Sequence, residues 1–278
     1  MRIYKKPDYS FNDGDLISVI DELPLWSAPF GLKLLDSIVL KKNMTVLDIG
    51  SGFGFPSIEV ACRLGRCSKV YGIDPWEAAI KRAQKKIDIF KIPNVELILG
   101  EAESIPLPDS SVDLIISNNG LNNVQQPDKV FQECSRVAKT GAQFVATYNL
   151  SETMKEFYQI FRQVLADHDL NEIIPLLQMH IDRKRPPMAE YEKLFSENNF
   201  EICQVEADSF KYRFVDGTAM FDYPFIQYAF MDSWLSLVPE DRVTEVFTEI
   251  ESRMNNESSK NGEWSLTIPF AIFNAFKK

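Results

Sequence analysis

Histidine is nearly missing from this chain: 278 residues contain two, His168 and His180. A zinc site or a Ser-His-Asp triad would have to use one of them, and neither has a ligand pattern around it. Cysteine is sparse as well. Cys62, Cys67, Cys134 and Cys203 show neither metal-ligand nor redox spacing. Cys62 and Cys134 fall on the apolar faces of expected helices, and all four read as reduced thiols of a cytoplasmic protein. No apolar run approaches the length of a membrane span, and the first residues, MRIYKKPDYSFNDGD, lack the apolar stretch of a secretory signal. Positive charge is in deficit, with 30 Lys and Arg against 40 Asp and Glu and a net charge of −10. Such a surface repels phosphate backbones and anionic membranes, which argues against long nucleic acid as a partner.

What the chain does have is rhythm. From about residue 45, TVLDI, KVYGI, VELIL, VDLIIS and AQFVATY read as strands separated by helices. The helix PSIEVACRLG has Pro56 in its first turn and Gly65 as its stop. WEAAIKRAQKKIDIF places Ile80, Ala83, Ile87 and Phe90 on one face, and DKVFQECSRVAK places Val130, Cys134 and Val137 on another. Alternation of this kind predicts a parallel sheet covered on both faces, with VELIL and VDLIIS buried on both sides. After Tyr148 the alternation breaks. Residues 151–187 read as amphipathic helices, AEYEKLFSENNF and EICQVEA resume helix and strand, 208–262 interrupt again, and EWSLTIPFAIFNAF closes the chain as a β-rich run. The expected organisation is a single domain over 1–278. Its core covers about 40–150 with 188–207 and 263–278, its lid insertions cover about 151–187 and 208–262, and 1–39 form an N-terminal cover.

VLDIGSGFG is the loop after the first strand. Gly50, Gly52 and Gly54 allow a tight turn and close approach of a ligand, and the loop feeds a helix N-terminus. A dinucleotide fingerprint wants glycine or alanine where this chain has Phe55. Asp48, two residues before the first glycine, would face a pyrophosphate unfavourably. A ligand carrying an ammonium group would find the same carboxylate useful, which points to S-adenosylmethionine (SAM) with S-adenosylhomocysteine (SAH) as product.

With these residues the stretch from Val46 to about Tyr148 resembles the class I SAM-dependent methyltransferases, and most of all the group of ubiquinone/menaquinone C-methyltransferases. VLDIGSGFG is similar to the family's first motif, VYGIDPW to its second, and GEAESIPLPDSSVDLIIS to its third and fourth, with Glu101 where aspartate is usual. The resemblance covers a little over a third of the chain. It implies an α/β, Rossmann-like, seven-stranded, mostly parallel sheet with an antiparallel last strand, helices on both faces, and helical and aromatic lid insertions. It further implies a cofactor site of Asp48, Gly50, Ser51, Gly52, Gly54, Asp74, Pro75, Trp76, Glu101, Ala102 and Asn118. Asp74 would accept from the ribose hydroxyls and Glu101 and Ala102 would hold adenine. Asp74 also reads as a helix N-cap, Trp76 as an adenine platform or as packing, and Glu103 as solvated.

ISNNGLNNV, at the end of the fourth strand, brings Asn118, Asn119, Asn122 and Asn123 beside this site without an acid or a base. In-line methyl transfer draws much of its rate from positioning, so amides there are compatible with chemistry. Asn119 reads as an acceptor-side contact, with Tyr148 and His180 as candidate bases and Tyr223 beside them. Asn122 and Asn123 read as turn residues. Nine aromatic residues between Phe210 and Trp234 suggest an acceptor pocket for a small apolar or ring-shaped molecule, or simple packing. Trp26 and Phe30 could close over the cofactor or join the core. Arg183, Lys184 and Arg185 could hold an anionic acceptor or lie in solvent. Two other functions fit parts of the pattern, a SAM-binding sensor or scaffold and, disfavoured by Phe55, a nicotinamide-dependent oxidoreductase.

Overall fold

The computed structural model describes Tyr4 and residues 26–278. Of the N-terminal cover expected over 1–39, residues 1–3 and 5–25 lie outside the described residues. In chain order the elements begin with α1 (Ser27–Ser37), β1 (Thr45–Ile49), α2 (Ser57–Leu64), β2 (Lys69–Asp74), α3 (Glu77–Phe90), β3 (Val95–Leu99), β4 (Val112–Asn118), α4 (Pro127–Val137) and β5 (Ala138–Asn149). They continue with α5 (Lys155–Asp167), α6 (Ile173–Lys184), α7 (Met188–Glu197) and β6 (Phe200–Phe214). Three short helical pieces (Gly217–Asp222, Pro224–Ile226 and Asp232–Leu235), α8 (Val243–Asn261) and β7 (Trp264–Lys277) complete the chain.

The described residues divide into two compact units. The first contains residues 26–149, Pro186–Asp208 and Phe270–Lys278. Its sheet runs in the order β3-β2-β1-β4-β5-β7-β6. β1 lies parallel to both β2 and β4, β3 to β2 and β5 to β4, while β7 runs antiparallel to β5 with Tyr148 opposite Ala271. Strand order reverses between β1 and β4, which opens a crevice at their carboxyl ends. Register puts Asp48 level with Gly72 of β2 and Ile116 of β4. β4 is buried at Leu114, Ile115, Ile116, Ser117 and Asn118 in succession. Successive side chains on a strand point to opposite faces, so both faces of the sheet are covered there.

β3 departs from expectation. VELIL is the sheet's edge strand, with Glu96 and Leu99 exposed, because an edge has helix cover on one side only. On α3 the buried stripe is Ala79, Ala83 and Ile87; Phe90, expected on that face, is exposed in the last turn, and Ile80 is half-buried. Cys62 is exposed on α2, whose buried residues are Ser57, Val60, Ala61 and Leu64, while Cys134 is buried on α4 as expected. α1 packs on β4 and β5 and buries Phe30 edge-on against Phe270 at 4.8 Å. α7 sets Phe195 against Phe131 of α4 and Phe144 of β5.

The second unit contains Leu150–Arg185, Ser209–Pro269 and Tyr4. Two segments separated in sequence by α7 and the start of β6 fold together here, because α5 and α8 each carry an apolar stripe that the other covers. Val246, Phe247, Ile250 and Met254 are the buried face of α8. Phe157 stacks on Trp234 at 4.1 Å, and the Trp234 indole N–H donates to the Tyr158 hydroxyl at 3.1 Å. Of the nine aromatics between 210 and 234, Tyr212, Phe221 and Trp234 are core; the other six are half-buried. The second interruption starts later than expected, since β6 continues to Phe214.

Candidate functional site

The loop after β1 turns on Gly50, Gly52 and Gly54, all with positive φ. Gly50 and Ser51 N–H groups donate to the Ile73 carbonyl, tying the loop to β2. A fourth glycine, Gly120, meets the loop from the one after β4: a Cβ on Gly50 would lie 2.7 Å from the Gly120 Cα, and one on Gly120 would lie 2.4 Å from the Ile49 carbonyl oxygen. Ser117 reinforces the junction by donating to that same carbonyl at 2.9 Å. Gly52 differs, since nothing lies within 4 Å of where its Cβ would be. Its left-handed φ of 49° bends the chain around open space.

Asp74 closes the loop from the side. One carboxylate oxygen accepts the Gly52 N–H at 2.9 Å and the other accepts the Trp76 N–H at 2.8 Å. Capping and loop-holding therefore share one half-buried carboxylate, which burial raises above its ordinary pKa while the Trp76 and Gly52 N–H groups lower it. α3 starts at Glu77, with Trp76 as its N-cap. The Trp76 ring lies against Phe53, centroids 5.0 Å apart, and Pro75 beside it is exposed.

Asp48 is wholly buried. Ser57, at the start of α2, donates its hydroxyl to one carboxylate oxygen, and the other oxygen has no partner among the described residues. Burial pushes its pKa to about 7, opposed by the Ser57 hydroxyl and assisted by the negative charge of Asp74. Ser51 is likewise buried with an unpartnered hydroxyl. Phe55 packs its ring where a Cβ on Gly31 would come within 2.2 Å, so α1 can lie close only because residue 31 has no side chain.

The four asparagines sort themselves by their bonds. Asn118 donates to the Ser27 carbonyl at 3.0 Å and accepts from Thr147 at 3.1 Å, joining α1, β4 and β5. Asn119 sits in the left-handed region at φ 63°, which asparagine tolerates better than most residues. Its side chain pairs reciprocally with Asn149, donating to the side-chain oxygen at 2.6 Å and accepting the backbone N–H at 3.1 Å. Asn122 donates to the Tyr191 hydroxyl, and Asn123 reaches back to the Asn119 carbonyl. The cluster stitches strand ends together.

Tyr148 is fully buried, its ring 3.7 Å from that of Tyr191, and burial holds its phenol well above the ordinary value. It is protonated across the working range, and a protonated phenol accepts no proton. His180 belongs to α6 in the second unit, where burial and then Arg185, Lys184 and Arg183 lower its pKa. Glu101 is exposed and Ala102 buried just past β3. Glu103, read as solvated, instead accepts the N–H groups of Gln125 and Gln126 ahead of α4. Sequence reasoning also passed over Phe53, Ser57, Gly120, Thr147 and Asn149. Only Gly120, inside the asparagine run, carried a local signal.

A family model described as a methyltransferase domain matches residues 40–183, a little over half of the chain. The chain belongs to that methyltransferase-domain family. A demethylmenaquinone methyltransferase of Geobacillus stearothermophilus is 33% identical over 122 residues, 44% of this chain and 52% of that one. An arsenite methyltransferase of Halobacterium salinarum is 36% identical over 97 residues, 35% of this chain and 25% of that one. This methyltransferase-domain chain thus spans about half the length, or less, of these two curated relatives. Among solved structures, a SAM-dependent methyltransferase from Aquifex aeolicus superposes with a TM-score of 0.53 at 26% identity, covering 69% of this chain and 91% of that one. Among the described residues of the methyltransferase-domain chain, no helix is long and apolar enough to cross a membrane, and no cluster of His, Cys, Asp and Glu could hold a metal ion.

Proposed function

We propose that the protein transfers a methyl group from SAM to a small molecule. The observation that carries this reading is the pair of carboxylates flanking the glycine loop. Asp48 is buried with one unpartnered oxygen, and Asp74 is spent on two N–H groups but retains acceptor capacity. These residues fit the cofactor. Asp48 would pair with its ammonium group, Asp74 would accept from the ribose hydroxyls, and the space beside Gly52 admits backbone approach. Ser51 offers a buried hydroxyl, Glu101 and Ala102 would hold adenine, and Pro75 and Trp76 would flank it. When bound, SAM supplies an electrophilic methyl on a sulfonium centre.

The chain's own contribution is positioning. Asn118 and Asn119 commit their amides to α1, β5 and Asn149, and so fix the strand ends beside which donor and acceptor would lie. Asn119 commits its amide to Asn149, and burial holds the Tyr148 phenol well above its ordinary value, which suits a displacement needing little more than alignment. The relatives named above act on demethylmenaquinone and on arsenite, so the family leaves the acceptor open. Calorimetric titration with SAM, SAH and NAD, repeated on Asp74→Ala, tests the reading. Binding of both adenosyl ligands, weakened in the variant and absent for NAD, is expected. Binding of NAD alone, or of none of the three, would overturn it.

A further inference from the structure

Arg185 is the anomaly of the second unit. It ends the run Arg183-Lys184-Arg185 at the C-terminus of α6, where a solvated charge cluster is the ordinary expectation. Arg183 and Lys184 are indeed exposed, but Arg185 is only 5% exposed. Its Nη1 is buried without a hydrogen-bond partner, and its side chain forms no ion pair with a described residue. The guanidinium lies 5.9 Å from the centroid of the Tyr158 ring. That ring is itself fixed, since the Tyr158 hydroxyl accepts the Trp234 N–H and both residues are buried.

Other cations of this unit behave differently. A groove of about 900 Å³ between α5, α8 and the strand ends has Arg213, Arg253 and Lys260 along it. Glu263 neutralises Arg213, Asp167 and Glu249 neutralise Arg253, and Glu257 neutralises Lys260. Lys211 also lines the groove, where its charge acts on Glu263, and it is exposed as Arg185 is not. A guanidinium cannot shed its proton, so burying one without a counter-charge is costly, and proteins keep such groups where an anion joins them. The Tyr158 ring lies to one side, and the unpartnered Nη1 lacks the acceptor that a planar oxyanion would supply. His180, five residues earlier, reports the same local field: burial, Arg185, Lys184 and Arg183 all lower its pKa, and no acid raises it.

We propose that Arg185 is the anchor of an oxyanion site in the second unit, taking the carboxylate or phosphate group of a small-molecule ligand against the Tyr158 ring. The inference stands on this unit alone and does not depend on methyl transfer. It is tested on the full chain in Tris chloride at constant ionic strength, free of sulfate, phosphate and carboxylate. Inorganic diphosphate and benzoate are titrated separately, up to about 20 mM, with melting temperature and calorimetry as readouts. A saturable rise in melting temperature is expected with one of them, diphosphate marking a phosphate-bearing ligand and benzoate a carboxylate. Arg185→Met should abolish it, and the double variant Arg183→Met, Lys184→Met should retain it. Should Arg185→Met fail to fold, Arg185→Lys should bind roughly tenfold more weakly, since an ammonium cannot reproduce the two-pronged contact. The proposal is overturned if neither anion saturates the wild type, if the response survives in Arg185→Met or at full affinity in Arg185→Lys, or if it disappears in the double variant.

Discussion

Asp48 is a carboxylate held where a carboxylate is expensive. Its folded pKa of about 7 lies above the value near 3.8 expected of an exposed chain. A raised acid pKa means the folded state binds the extra proton. The associated stability is therefore present below the unfolded pKa and is lost as pH rises from about 3.8 toward 7. The Asp48→Asn protein, which carries no such charge, should be more stable than wild type at pH 8, by an amount on the order of a few kcal/mol. The gain should be smaller at pH 5, as melting curves at the two pH values would show. The same residue sets a pH dependence for the proposed cofactor binding. An ionised Asp48 is the form that attracts an ammonium group, so SAH affinity should rise about tenfold between pH 6 and pH 8 and flatten beyond. Isothermal titration across that range reads it directly, and Asp48→Asn should remove the slope.

Elements meet at this site through backbone, and that makes glycine substitutions discriminating. Gly120→Ala would drive a methyl group into the Ile49 carbonyl, so the loops after β1 and β4 must part. A loss of roughly 2 kcal/mol or more in urea unfolding is expected, together with weaker SAH binding. Gly52→Ala meets no neighbour and should cost only about 1 kcal/mol for its left-handed φ, yet weaken SAH binding by occupying the space beside the loop. The amide pair gives a third measurement at this scale. In a double-mutant cycle, Asn119→Ala and Asn149→Ala should show coupling of about 1 kcal/mol, because the one side-chain bond they share is lost once and not twice. β1 and β3 were readable because their apolar runs are short and end at glycine. The asparagine bonds were not, since Thr147 and Asn149 lie about thirty residues downstream and no local pattern pairs them. Phe90 was misplaced for a related reason: periodicity assigns a face but not where cover on that face ends.

At the scale of the whole chain, 40 acidic residues against 30 basic ones give a sequence pI near 4.9. Light scattering should therefore rise as pH approaches that value and fall again by pH 7, where the net charge of −10 keeps molecules apart. The places of the glycine loop and of both acids were legible, because Asp48 stands next to the end of β1, Asp74 is the last residue of β2, and the loop follows β1 directly. The second unit was less so. Its helices announced their apolar faces, but a stripe on α5 does not say that its cover is α8, on the far side of the α7 segment. Nor does a run of three cations reveal that only Arg185 is buried.

The contact between Gly50 and Gly120 constrains how this protein can change. Where two side chains press on each other, enlarging one can be forgiven by shrinking its neighbour. Two glycines in backbone contact have nothing left to shrink. A random-mutagenesis screen should accordingly recover suppressors for many damaged core positions and none at either glycine for a substitution at the other. The remainder of the loops can drift in sequence while this hinge point stays fixed, so variation in what the protein accepts has to accumulate around it.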